Sequence, residues 1–72
     1  MKKVVQVESV RRKNGWVLPV KVTLENVSFD VENMLFASVS YDGEYEGIRY
    51  TVVINKGQEY LYRVGDTWYV MT

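Results

Sequence analysis

The stretch VKVTLENVSFDV, residues 20–31, alternates apolar and polar side chains on both sides of Glu25-Asn26. An alternation of period two is typical of a β-strand with one buried face, because successive side chains point to opposite faces of a sheet. A turn at Glu25-Asn26 brings Val22 opposite Phe29. The stretch therefore predicts a β-hairpin with an apolar inner face.

A second turn, Asn14-Gly15, predicts the strand before this hairpin. Asn-Gly is the strongest short hairpin signal, because both central residues of a type I′ turn have positive φ. A two-residue turn at this point pairs Val7 with Val22. We therefore expect Val22 to be buried between Val7 and Phe29.

Hydrogen-bond geometry links the lengths of these two loops. A residue that bonds to one neighbouring strand of an antiparallel sheet points its N–H and C=O away from the other strand. Two strict two-residue turns would make Val20 and Val22 bond both ways, so one loop must be longer. We assign four residues, 24–27, to the second loop, because Glu25 tolerates positive φ poorly. Trp16 and Val20 then share the inner face with Val22.

The net charge of zero is laid out unevenly along the chain. Residues 1–21 hold six lysines and arginines against one glutamate, whereas residues 22–46 hold six acidic residues and no basic one. The predicted pairings place Glu8, Lys21 and Asp30 in one row across three strands, so neighbouring strands satisfy part of this charge. The remainder is available for a charged binding face.

The later segments continue the alternation and predict further strands. If inward and outward side chains continued to alternate after Val31, Asn33 would be buried. We therefore expect a kink at Glu32-Asn33, as at the corner of a barrel. A polar loop, YDGEYEG, follows at residues 41–47.

In the last third of the chain, we expect a three-residue loop at residues 55–57, because this loop length places apolar residues opposite apolar residues along the two flanking strands. This loop places Tyr60 and Tyr62 in the core and leaves Leu61 outside. The sequence does not decide whether Trp68 or Tyr69 lies on the buried face of the last strand.

Residues 1–72 therefore form a single all-β domain, since a chain this short cannot support two cores. We expect six or seven short strands in a meander, curled into a small, partly open barrel of SH3-like or OB-like kind. The composition contains no cysteine, which favours the cytoplasm. Polar residues interrupt the apolar run at the start, MKKVVQVESV, so it predicts a strand and no export signal.

The residue types argue against chemistry. Histidine and cysteine are absent, which removes the commonest general base, metal ligand and thiol nucleophile. Asp42, Glu44 and Glu46 supply carboxylates, but their spacing lacks the ligand pattern of the known calcium loop. We expect no enzyme activity, no metal and no cofactor.

Two groups of residues are candidates for binding. Arg11, Arg12 and Lys13 lie beside Trp16, and cations next to a stacking ring are typical of single-stranded nucleic-acid binders. The competing interpretation is a solvated hairpin tip, with Lys13 across the indole. Tyr41 and Tyr45 are candidates for contact with a partner, because tyrosine is enriched at protein interfaces.

Three stretches carry a resemblance to known proteins: VSFDVENML, GIRYTVVI and EYLYRVGDTWYV, in that order. They resemble small bacterial all-β proteins that have no assigned activity, over about two thirds of the chain. The resemblance implies a free-standing domain, and no catalytic residues follow from it.

The function that we expect is that of a non-catalytic binding or adaptor module. Its partner is a protein, recognised by the addition of a strand to an open sheet edge, and no membrane is involved. The alternative is single-stranded nucleic-acid binding through the basic hairpin, residues 11–16. The sequence leaves the oligomeric state open.

Overall fold

The computed structural model describes residues 1–72 and contains six antiparallel strands and no helix. The strands are β1 (Lys2–Arg11), β2 (Val17–Leu24), β3 (Val27–Asp42), β4 (Tyr45–Ile54), β5 (Gly57–Val64) and β6 (Thr67–Met71). The chain thus has no helix long and apolar enough to cross a membrane. The predicted all-β meander is confirmed.

The barrel closes, whereas we expected it to be partly open. Each strand pairs with the next, and β6 returns to pair with the start of β1, where Val5 lies opposite Trp68. Sequence neighbours predict the first five pairings, but a pairing of first with last strand has no local turn to indicate it.

The longest strand, β3, bends and is shared between two neighbours. β3 pairs with β2 through residues 27–30, and then with β4 through residues 31–42. The β3–β4 ladder is irregular between Val31 and Asn33 and again between Met34 and Phe36, which confirms the predicted kink. Such irregularities let a strand turn a barrel corner.

Valine, leucine and aromatic side chains form the core. The buried apolar cluster consists of Val5, Val17, Val22, Tyr50, Val52, Leu61 and Trp68. Val22 is 1% exposed and lies opposite both Val7 and Phe29, as predicted. The rings of Tyr50 and Trp68 pack with their centroids 5.3 Å apart.

The lengths of the first two loops both differ from our prediction of two residues for the first and four for the second. The Gly15 N–H donates to the Arg12 carbonyl oxygen, and Gly15 has a φ of 89°, so the first loop has three residues. Glu25 and Asn26 adopt φ of 49° and 69°, and the second loop is the two-residue turn.

An unpaired residue in β2, Val20, compensates for the longer first loop. The register shifts between Glu8 and Ser9, opposite Val20, so the predicted Val7–Val22 and Glu8–Lys21 pairs survive. Between this shift and the hairpin turn, the side chains of β2 point to the opposite faces from those that we expected. Trp16 and Val20, which we expected inside, are exposed, and Val17 is buried in their place.

The predicted register of β4 and β5 is wrong by one residue. Asn55 and Lys56 form a two-residue turn with φ of 51° and 65°, which pairs Tyr50 with Leu61. Leu61 is therefore 1% exposed, while Tyr60 points outward and is 46% exposed.

On the outer face, Tyr62 stacks on Tyr69, with ring centroids 5.1 Å apart. Trp68 points into the core beside Tyr50, and Tyr69 is buried on the opposite side of β6. Trp68 and Tyr69 are therefore both buried, on opposite faces of the last strand, because Lys2 and Tyr62 cover the outer face around Tyr69.

Candidate functional site

The edge of β3 that faces away from β4 has no strand partner beyond Asp30. The β2–β3 ladder ends at the Lys21–Asp30 pair, after which β3 bonds only to β4. On the other side of this gap, the buried Val17 carbonyl oxygen accepts a hydrogen bond from the Tyr50 hydroxyl at 2.7 Å. A side chain thus satisfies a backbone group of β2 where no strand pairs with it.

Beyond Asn33, this free edge is mostly apolar and lacks the charged and proline residues that usually discourage association. Residues 34–41 contain no charge and no proline. Val39 is 60% exposed and Tyr41 is 67% exposed, and both side chains lie on the same face of β3. Proteins normally blunt such an edge with lysine, proline or a covering loop, because unpaired N–H and C=O groups accept another strand.

The hairpin between β1 and β2 forms a basic tip, which we define as residues 11–16. Arg11, Arg12 and Lys13 are exposed, and none of them takes part in an ion pair. Trp16 is 44% exposed, and no cation lies over its ring, so the expected contact with Lys13 is wrong. Both the charge and the indole of this tip are therefore open to solvent.

The basic tip and the free edge meet at a cleft of about 400 Å³. Its lining residues come from both elements: Arg12, Asn14, Trp16, Leu18, Met34 and Ala37. The register shift at Val20 turns the tip side of β2, and the irregularity at Met34/Phe36 turns β3. Strand alternation alone gives no signal for this proximity.

The hairpin between β3 and β4 forms an acidic tip, which we define as residues 41–46. We expected a polar loop at residues 41–47, but the strands continue to a two-residue Gly43-Glu44 turn, with Gly43 at a φ of 63°. Glycine at the first central position of a two-residue turn accepts positive φ without strain. Glu44 and Glu46 are exposed and form no ion pair.

Tyr41 and Tyr45 do not act together. Tyr41 lies opposite Glu46, and Tyr45 lies opposite Asp42, so their side chains point to opposite faces of the hairpin. Each is exposed. A partner at the free edge therefore meets Tyr41, on the face shared with Val39 and Ala37.

Asp42 is committed to Lys2, which lies over the Tyr69 ring at 4.6 Å. The hydrogen bond with Asp42 raises the pKa of Lys2. Burial raises the pKa of Tyr69. These contacts attach the acidic tip to the start of β1, and no three acidic residues gather into a group that could hold a metal ion.

A larger cavity, of about 460 Å³, opens at one end of the barrel. Val22, Leu61 and Glu59 are among the residues that line it.

The chain matches no family model, no curated protein and no solved structure. Any functional conclusion therefore rests on the geometry of this chain.

Proposed function

We propose that this chain is a non-catalytic, cytoplasmic binding module that recognises an extended segment of a partner protein. The segment adds as a strand to the free edge of β3, between Ala37 and Asp42. The observation that supports this most strongly is the β3 ladder, which bonds to β4 alone beyond Asp30. A regular, uncharged strand edge offers main-chain hydrogen bonds to any extended chain.

The cleft beside the edge supplies selectivity. Every second side chain of an added strand points to the face that carries Ala37, Val39 and Tyr41. One of these side chains reaches the cleft formed with Trp16 and Leu18. Main-chain bonds supply the affinity, and the cleft favours an apolar or aromatic side chain at one position.

Selection from a displayed library of random peptides tests this proposal. Peptides that bind should alternate apolar and polar residues, and should slow amide hydrogen exchange between Ala37 and Asp42. A selected peptide is then made in two forms, N-methylated at either set of alternate residues. One form should lose binding and the other should keep it, because only one edge of the added strand faces β3.

An equal loss of binding in both N-methylated forms of the peptide would contradict strand addition. So would exchange protection confined to the barrel-end cavity around Val22 and Leu61. A variant with Val39→Lys should bind the selected peptides more weakly, while Val27→Lys is the matched control. Val27 is also exposed on β3, but it lies within the part paired to β2.

Single-stranded nucleic-acid binding is the second candidate, and the exposed Trp16 beside three unpaired cations favours it. We expect no quenching of Trp16 fluorescence by a short oligonucleotide near 0.15 M salt, roughly the physiological ionic strength. The chain has no net positive charge to attract a polyanion. Quenching that Arg11→Glu with Arg12→Glu abolishes would assign the basic tip to nucleic acid.

A further inference from the structure

The free edge of β3 has opposite charges at its two ends. The basic tip borders it at Ala37, and the acidic tip forms its other end, where β3 ends at Asp42. Arg11, Arg12 and Lys13 have no acidic partner within the chain, and Glu44 and Glu46 have no basic one. Antiparallel pairing of two identical edges brings unlike ends together.

We infer that, in the absence of another partner, the β3 edge pairs antiparallel with the β3 edge of a second copy of this chain. The inference rests on the proposed strand-addition edge and names one occupant for it. The contact is isologous, since the same surface of both copies forms it and a twofold axis relates them. A twofold interface closes on itself, so the assembly stops at a dimer.

The length of the edge and the alternation of faces limit the possible registers. The regular part of the free edge, after the irregularity at Met34/Phe36, runs from Ala37 to Asp42. A twofold axis perpendicular to the sheet keeps each residue on the same face in both copies. Opposed residues must then differ by an even number, because faces alternate along a strand. An axis at Val39 places Val39 against Val39 and Tyr41 of each copy against Ala37 of the other.

This register fills the cleft. Ala37 lines the cleft together with Trp16, Leu18 and Met34, so the Tyr41 ring of the second copy lies at its mouth. Tyr41 is 67% exposed in the single chain, and aromatic rings buried in such clefts contribute most to interface stability. An axis at Ser40 would instead place Tyr41 against Val39 and leave the cleft empty.

The same register places unlike charges at both ends of the interface. The acidic tip of each copy, with Glu44 and Glu46, lies at the basic tip of the other, near Arg12 and Lys13. Symmetry makes this contact twice. The separation of charge between residues 1–21 and 22–46 then serves an intermolecular contact beyond the row of Glu8, Lys21 and Asp30.

Charge reversal with mixing tests the inference, with molar mass measured by sedimentation as a function of concentration. We expect the full chain to dimerise, and Arg12→Glu alone or Glu44→Lys alone to raise the dimer dissociation constant at least about tenfold, since each makes two like-charge contacts. An equimolar mixture of the two variants should dimerise again. In that heterodimer, one contact is the natural pair and the other is the reversed pair.

Both substituted side chains are exposed, so the fold is not at risk. Val39→Lys should abolish dimerisation by placing two cations together on the axis, while Val27→Lys should leave it unchanged. A wild-type chain that stays monomeric up to its solubility limit would overturn the inference. A mixture of Arg12→Glu and Glu44→Lys that dimerises no more tightly than either variant alone would also overturn it. If selected peptides still protect β3 amides in that case, the proposed function stands; if they do not, both proposals fail.

Discussion

The hydroxyl of Tyr50 is the group whose removal tests the barrel most directly. It donates a 2.7 Å hydrogen bond to the buried Val17 carbonyl, at the point where β2 has no strand partner on that side. Tyr50→Phe keeps the ring and its contact with Trp68 but leaves that carbonyl unpaired. A buried group without its partner costs about 1–3 kcal/mol, and we expect a loss of about 2 kcal/mol in the free energy of unfolding.

A domain of this length has roughly 4–11 kcal/mol of stability, so the loss is a large fraction of the total. It corresponds to a fall in Tm of about 8–16 °C. Urea denaturation followed by tryptophan fluorescence measures the change. Tyr62→Phe is the matched control, because the Tyr62 ring stacks on Tyr69 and its hydroxyl forms no hydrogen bond within the protein. Equal stability of the two variants would refute the role assigned to the Tyr50 hydroxyl.

Three further predictions concern packing and titration. Leu61→Ala should destabilise the protein by about 2–5 kcal/mol and Tyr60→Ala by much less, in urea denaturation, because only Leu61 is in the core. Gly47→Ala should cost about 1–3 kcal/mol, because a Cβ there would collide with the Arg63 carbonyl and lie 2.7 Å from the Val64 side chain; a stability equal to wild type would contradict that crowding. Burial raises the pKa of Tyr69, so the unfolded chain ionises first as pH rises above its usual value of 10.0. Stability should therefore fall in alkali more steeply in the wild type than in Tyr69→Phe, measured by urea denaturation at several pH values.

Part of the fold followed from local patterns alone. Val22 was correctly placed between Val7 and Phe29, because apolar alternation and the position of a turn restrict the register strongly. The turn types were not predictable in the same way. Glu25 and Lys56 adopt positive φ, which carries a local strain that burial of facing apolar residues offsets.

The candidate site was harder to predict than the core. The local sequence of residues 11–16 indicates Arg12 and Trp16, but their proximity to Met34 and Ala37 depends on irregularities in two strands that alternation does not reveal. The free edge of β3 depends on where the β2–β3 ladder ends. That point follows from the bending of the barrel, and no single residue indicates it.

One edge with two possible occupants leads to a testable competition. In the two proposed binding modes, a partner segment and a second copy both need the backbone groups between Ala37 and Asp42, so the proposed dimer must dissociate before a partner binds. The apparent affinity for an uncharged extended peptide should then weaken as protein concentration rises. Added salt screens the contacts between the acidic and basic tips but leaves the main-chain bonds largely unaffected, so it should tighten peptide binding. Nucleic-acid binding at the basic tip has the opposite salt dependence, since each neutralised phosphate releases counterions. Peptide binding that strengthens with salt in the wild type, and shows no salt dependence in Glu44→Lys, would identify the exchange of one strand for another. A peptide affinity that weakens with salt in both proteins would contradict this competition.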